Sequence, residues 1–186
     1  MNLALHIEKH LEVVSNTFDS IFLQKINETG LIITERLKKG GKIFLMGNGG
    51  SAADSQHIAA EFVSKLSIDR KPLAALALTV DTSAITAISN DYGYDYVFSR
   101  QIEALVNDTD VVIGISTSGN SKNVILGFDK ATEIGAFTIG FSGSNGFKNK
   151  MLNACFSIKS NNTARIQEGH ILLGHLLCGV SESPYV

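Results

Sequence analysis

Three stretches of this 186-residue chain carry the side chains that could do chemistry. The first is His57 with Glu61, an imidazole and a carboxylate four residues apart. On a helix that interval sends both side chains off one face. Such a pair sets a carboxylate and an imidazole side by side, groups that can pass a proton. The second is Ser116-Thr117-Ser118-Gly119-Asn120-Ser121. Hydroxyls and backbone N–H groups beside a helix start make a neutral cradle for phosphate, one that lets the anion leave after turnover. The bland alternative is a serine-rich turn and cap. The third is Gln167, His170 and His175. Gln167 and His170 share a helix face by spacing, whereas Gln167 and His175 stand roughly 12 Å apart along a helix axis. Spacing does not choose between the two histidines, and a lone histidine on an apolar helix is more often a satisfied core residue. Arg165 and Glu168 make sense as helix-end charges without any chemistry.

The element that must position the first pair is Lys42 to Lys65. Lys42-Ile43-Phe44-Leu45-Met46 is an apolar run of strand length that Gly47-Asn48-Gly49-Gly50 cannot continue. A helix is predicted from Ser51, with Asp54 three residues on as in a capping box. Glycines let backbone N–H groups approach an anion, and the helix N-terminus adds partial positive charge. Read without a ligand, the same stretch is a tight turn and a surface helix.

Composition bounds the rest. Hydrophobic residues at 44% and charged residues at 18% describe a globular, rather apolar chain. A chain of ~150 residues buries roughly 70% of its unfolded surface, so a substantial core is expected. Net charge is −2 with no long basic run, which argues against nucleic acid as a partner. No stretch approaches ~20 apolar residues, so no membrane span is expected. Polar and acidic residues in the first turns do not fit a secretory signal. Cys155 and Cys178 lie in apolar segments and form no CxxC pair, as packed thiols in a reducing cytoplasm would.

Apolar residues recur at helical spacing through residues 2–39, with Ser15-Asn16 or Asn27 to Gly30 as possible breaks and Gly40-Gly41 as the end. So long an apolar arm needs a surface, either its own sheet or, the reading preferred here, the same arm of a neighbouring subunit. Beyond the first strand, further strands are expected at Pro72–Leu78, Asp110–Ser116, Ala136–Phe141 and Cys155–Lys159. Helices are expected at Thr82–Ile88, Val97–Val106, from the serine loop to Ile134, briefly before the fifth strand, and from Ala164 to Val180. Asn90-Asp91-Tyr92-Gly93 reads as a turn. The alternation implies an α/β fold, a doubly wound five-stranded parallel sheet in one domain over 1–186, with 1–40 as a helical arm. In a flavodoxin-like order the first and third strands are neighbours, so glycine turn and serine loop face each other at the switch point.

The order GNGGS, HxxxE, Asn90-Asp91, STSGNS and RIQE, with a histidine eight residues after the glutamine, resembles the phosphoheptose isomerases. These belong to the sugar-isomerase (SIS) superfamily of phosphosugar-binding domains, and the resemblance runs from the arm to about Cys178. It implies conversion of D-sedoheptulose 7-phosphate to D-glycero-D-manno-heptose 7-phosphate through an enediol, the first dedicated step towards bacterial surface heptose of lipopolysaccharide or capsule. It further implies a homotetramer with one zinc per subunit; a glutamine ligand is weak for zinc, which makes such a site labile or open to another divalent ion. Carried over by position, Ser116, Thr117, Ser118 and Ser121 hold the phosphate. Asn48, Gly49, Gly50 and Ser51 line the sugar together with Asn90, Asp91 and Gln167. His57, Glu61, Gln167 and His175 are the metal ligands, and Glu61 and His175 the catalytic pair. Ala164 stands where some members carry an acidic residue, and the ending Gly179 to Val186 departs from the usual charged helix. Non-catalytic regulators and a replication-initiator-binding relative have similar loops. Retention of both Glu61 and His175 favours the enzyme.

Overall fold

The structure is a computed structural model describing residues 2–67, 69–148 and 151–185. Five strands, β1 (Ile43–Gly47), β2 (Ala75–Ala77), β3 (Val111–Ser116), β4 (Phe137–Ser142) and β5 (Ala154–Ser157), form one sheet in the order β2-β1-β3-β4-β5. Every pairing is parallel. The expected order holds, and β1 and β3 are neighbours with Ile43 opposite Val111 and Gly47 opposite Ile115.

Strand periodicity then sorts the core. Successive side chains point to opposite faces. Ile43, Leu45, Val111 and Ile113 enter one cluster; Phe44, Met46 and Val112 enter the other. The first cluster is closed by α2 (Ser20–Lys38), α3 (Gly50–Val63) and α7 (Thr163–Glu182), through Ile26, Ile33, Phe62, Leu173 and Leu177. The second is closed by α5 (Val97–Leu105) and α6 (Lys122–Ile134), through Phe98, Ile102, Val124 and Phe128. Strands buried on both faces read as unbroken apolar runs for this reason.

Several boundaries differ from expectation. The arm breaks at Phe18-Asp19, between α1 (Leu3–Thr17) and α2, because the Asp19 carboxylate caps the second helix by accepting from Phe22 N–H at 2.9 Å. Asn27 to Gly30 stays helical against α7, with the Ser181 hydroxyl donating to Gly30 O at 3.2 Å. α2 covers its own sheet, whereas α1 leaves Leu3, Ile7 and Leu11 more than three-fifths exposed. The second strand shortens to β2 because Leu73 N–H donates to Phe62 O at the end of α3. Among the described residues no helix lies between β4 and β5. There Phe147 packs on Phe128, and the Asn153 side chain accepts from Thr138 N–H at 2.8 Å. Residues 149–150 of that expected helix lie outside the described residues. α4 (Thr82–Asp91) takes in Asn90 and Asp91, and α7 continues to Glu182.

Candidate functional site

The site is built along the seam between α3 and α7. At the head of the seam, a Cβ on Gly50 would run into the Gln167 carboxamide. Further along, a Cβ on Gly174 would run into Ile58. The two helices therefore lie side by side in the same direction, held close by residues without side chains. That closeness sets His57 of α3 against His175 of α7, with their Nε2 atoms 2.9 Å apart and ring centroids 5.1 Å apart. Glu61, one turn after His57, brings Oε1 to 3.3 Å from His57 Nε2.

Two imidazole nitrogens that face each other can share one proton or turn both lone pairs towards a cation. With Glu61 they form a cluster whose ligand atoms all lie within 4.8 Å of one another. The donor set fits a zinc-like ion: imidazole nitrogens and a carboxylate are its ordinary ligands, at ~2.0–2.2 Å. Gln167, the fourth expected ligand, lies at Gly50, two helical turns before His175 on α7.

His170 has a different fate. It is fully buried, its Nε2 lies 3.0 Å from Ser142 O, and its ring packs on Phe141. Burial pushes its imidazole down from the usual 6.5 to about 4, against the raising effect of the Ser142 carbonyl. His170 is thus the neutral core histidine and His175 the cluster histidine, the choice that spacing left open.

The glycine turn departs from the capping-box expectation. The helix begins at Gly50, so Gly49, with φ of 56°, occupies the cap position and offers no side chain. Ser51 is buried inside the first turn, where its backbone N–H donates to Asn48 O at 3.0 Å. Asp54 makes no return bond; its Oδ2 is buried without a partner among the described residues, and burial pushes its carboxyl pKa up.

The Asn48 side chain is held from two sides. It exchanges two 2.9 Å hydrogen bonds with the Asn123 amide and accepts a third from the Tyr94 hydroxyl at 2.8 Å. Asn123 lies in the first turn of α6, two residues after Ser121, so this exchange ties the glycine turn to the serine loop. Within that loop the Ser116 and Ser121 hydroxyls are 2.9 Å apart, and Ser116 and Ser118 3.4 Å apart. Ser121 therefore spends its hydroxyl on the loop and makes no side-chain cap on α6. Beside it, Thr117 and Ser118 line a cavity of about 290 Å³ with Ser144, Asn145, Asn161 and Thr163. Asn90 and Asp91 are exposed at the end of α4, where Asn90 donates to Asp91 Oδ1 at 2.8 Å.

Sequence reasoning missed Asn123, Tyr94 and the pair Arg70–Glu182. Asn123 directly follows STSGNSK and carries no spacing signal; its burial alone marks it. Arg70 and Glu182, 112 residues apart, have fully buried side chains joined by a 3.1 Å contact.

Comparison with known proteins gives three results. A sequence profile of the SIS domain matches residues 8–143. A phosphoheptose isomerase of Clostridium acetobutylicum is 53% identical over 167 residues, 88% of this chain and 84% of that protein. One of Aquifex aeolicus is 52% identical over 170 residues, 91% of this chain and 89% of that protein. Among solved structures, a phosphoheptose isomerase from Neisseria gonorrhoeae superposes with a TM-score of 0.90 at 42% identity, covering 97% of each chain.

Proposed function

The chain belongs to the phosphoheptose isomerases of the SIS-domain family, and we propose that it converts D-sedoheptulose 7-phosphate to D-glycero-D-manno-heptose 7-phosphate at the α3–α7 seam. The observation that carries this reading is the convergence of His57, Glu61 and His175 at one point of that seam. A base, an acid and a cation site stand together beneath the glycine turn.

Aldose–ketose isomerisation removes a proton from C1, passes through an enediol and returns a proton to C2. It needs a base at carbon, a proton donor at oxygen and a means of stabilising developing oxyanion charge. Glu61 is the base. Its carboxylate is part-buried, with 22% of the side chain exposed, and is held by the helix rather than by a loop. His175 serves the oxygen, donating as the C2 carbonyl becomes a hydroxyl. His57, Glu61 and His175, with Gln167 as the fourth ligand, would hold zinc, which when bound polarises a carbonyl and orients the substrate. A carboxylate coordinated to zinc would be a weaker base, so the role of base is assigned to the Glu61 carboxylate in its uncoordinated form.

The phosphate is taken by Ser116, Thr117, Ser118 and Ser121 with the N-terminus of α6 behind them. Asn48, Gly49, Gly50 and Ser51 line the sugar, with Gln167 above Gly50 and Asn90 and Asp91 reaching its hydroxyls from the end of α4. The Asn48–Asn123 exchange supports this assignment, because it fixes the distance between sugar turn and phosphate loop. The protein acts as a cytoplasmic homotetramer supplying a surface-heptose precursor, and the exposed apolar stripe of α1 supports assembly. A panel of ketose phosphates, assayed before and after chelation, tests the reading. Turnover of the seven-carbon substrate that falls on chelation and returns with zinc is expected. Turnover of six-carbon ketose phosphates alone would overturn the substrate assignment.

A further inference from the structure

Two turns past His175 on α7, a second contact crosses the same seam. The Glu182 carboxylate is fully buried and accepts four hydrogen bonds: Arg70 Nε at 3.1 Å, Ser67 N–H at 3.2 Å, Ser67 hydroxyl at 2.8 Å and Leu66 N–H at 3.4 Å. The Arg70 guanidinium, also fully buried, spends its other N–H groups on backbone carbonyls. Nη2 donates to Glu61 O at 3.0 Å; Nη1 donates to Phe62 O at 2.9 Å, Ser64 O at 3.3 Å and Lys71 O at 3.2 Å. These include the last carbonyls of α3, orphaned by the end of the helix. A cation there is favoured by the helix dipole as well.

Burying two charges is costly, and a buried ion pair is weak evidence for stability, because apolar residues of like volume often serve as well. This pair has a further property: both ends attach to the elements that carry the cluster. Arg70 grips the backbone of Glu61 itself. Glu182 follows His175 by seven residues and so lies on the same face of α7.

We infer that Arg70 and Glu182 are positioning residues for the reaction, a clamp that fixes the register of α3 on α7 and so holds Glu61 against His175. The inference rests on the proposed isomerase site. It also gives the segment from Gly179 onward a role, since Glu182 closes the clamp. Reacting groups displaced by ~1 Å lose of order 100-fold in rate. The phosphate loop, on β3 and α6, stands off the seam and should not sense the clamp.

The test uses the full-length protein with Glu182→Gln and Arg70→Lys, beside Ile102→Ala as a stability control on the opposite face of the sheet. In both clamp variants kcat for the heptose phosphate should fall 10- to 100-fold, with KM within about twofold of wild type. Ile102→Ala should lower Tm at least as much yet keep kcat within twofold well below its transition. A second readout needs no turnover: Co²⁺ titration, followed by its visible d–d absorption, should show at least tenfold weaker binding in Glu182→Gln. Folded clamp variants with wild-type kcat and Co²⁺ affinity would overturn the inference, as would equal kcat losses in the clamp variants and Ile102→Ala. If wild type turned over no ketose phosphate but Co²⁺ affinity still fell in Glu182→Gln, the isomerase reading would fail and the clamp would stand.

Discussion

His170 and His175 sit five residues apart on one helix and do opposite work. An α-helix turns through 100° per residue, so residues five apart face away from each other. One ring enters the core on Phe141; the other meets His57 across the seam. The sequence displayed both rings but not which face of α7 lies against α3, and only tertiary packing settles that. The His57–Glu61 pair was legible because its geometry is local to one helix. A pH prediction belongs to His170. Its folded pKa is lowered to about 4, while an unfolded chain protonates near 6.5. Between those values the unfolded state binds more protons, so stability is intact above pH 6.5 and drains away as pH falls towards 4. The loss should reach about 3 kcal/mol. Thermal unfolding of wild type and His170→Leu from pH 7 to 4 measures it, since the other titrations cancel in the difference. Parallel Tm profiles would contradict the assignment.

At the scale of elements, strand order, the β1/β3 switch point and the two loops were readable because buried parallel strands and glycine-rich turns leave strong local marks. Three features were not. The capping box failed because the helix starts one residue early, at Gly50, where the Gln167 carboxamide takes the space of a side chain. The Asn48–Asn123 exchange joins residues 75 apart, and the short helix before β5 yields to contacts of Phe147 and Asn153 with other elements. No local pattern encodes such partners. The α3–α7 seam carries the corresponding prediction. Gly174→Ala forces a methyl group into Ile58, and overpacking of this kind costs ~1–3 kcal/mol. The helices should part, with kcat falling at least tenfold, and adding Ile58→Ala should make room and recover most of the loss. If Gly174→Ala kept full activity, close approach of these helices would not be what sets the cluster.

For the molecule as a whole, α1 is the unsatisfied piece. Thr17, its last residue, is drawn inward by accepting from Lys159 N–H. Leu3, Ile7 and Leu11 are left exposed at helical spacing. A stripe of this kind supports the proposed assembly. Replacing Ile7 and Leu11 with Glu should reduce the mass in solution below that of a tetramer, read by light scattering, and lower activity in parallel. An unchanged mass would place the subunit contacts elsewhere. Proton exchange tests whether the chain isomerises a heptose phosphate with Glu61 as the base. Wild type and Glu61→Gln are each incubated with D-sedoheptulose 7-phosphate in D₂O and followed by NMR. Wild type should form the aldose phosphate with solvent deuterium at C2, while Glu61→Gln still binds the ketose phosphate but slows both product formation and exchange by at least 1,000-fold. Product and deuterium appearing at the wild-type rate in Glu61→Gln would show that Glu61 is not the base.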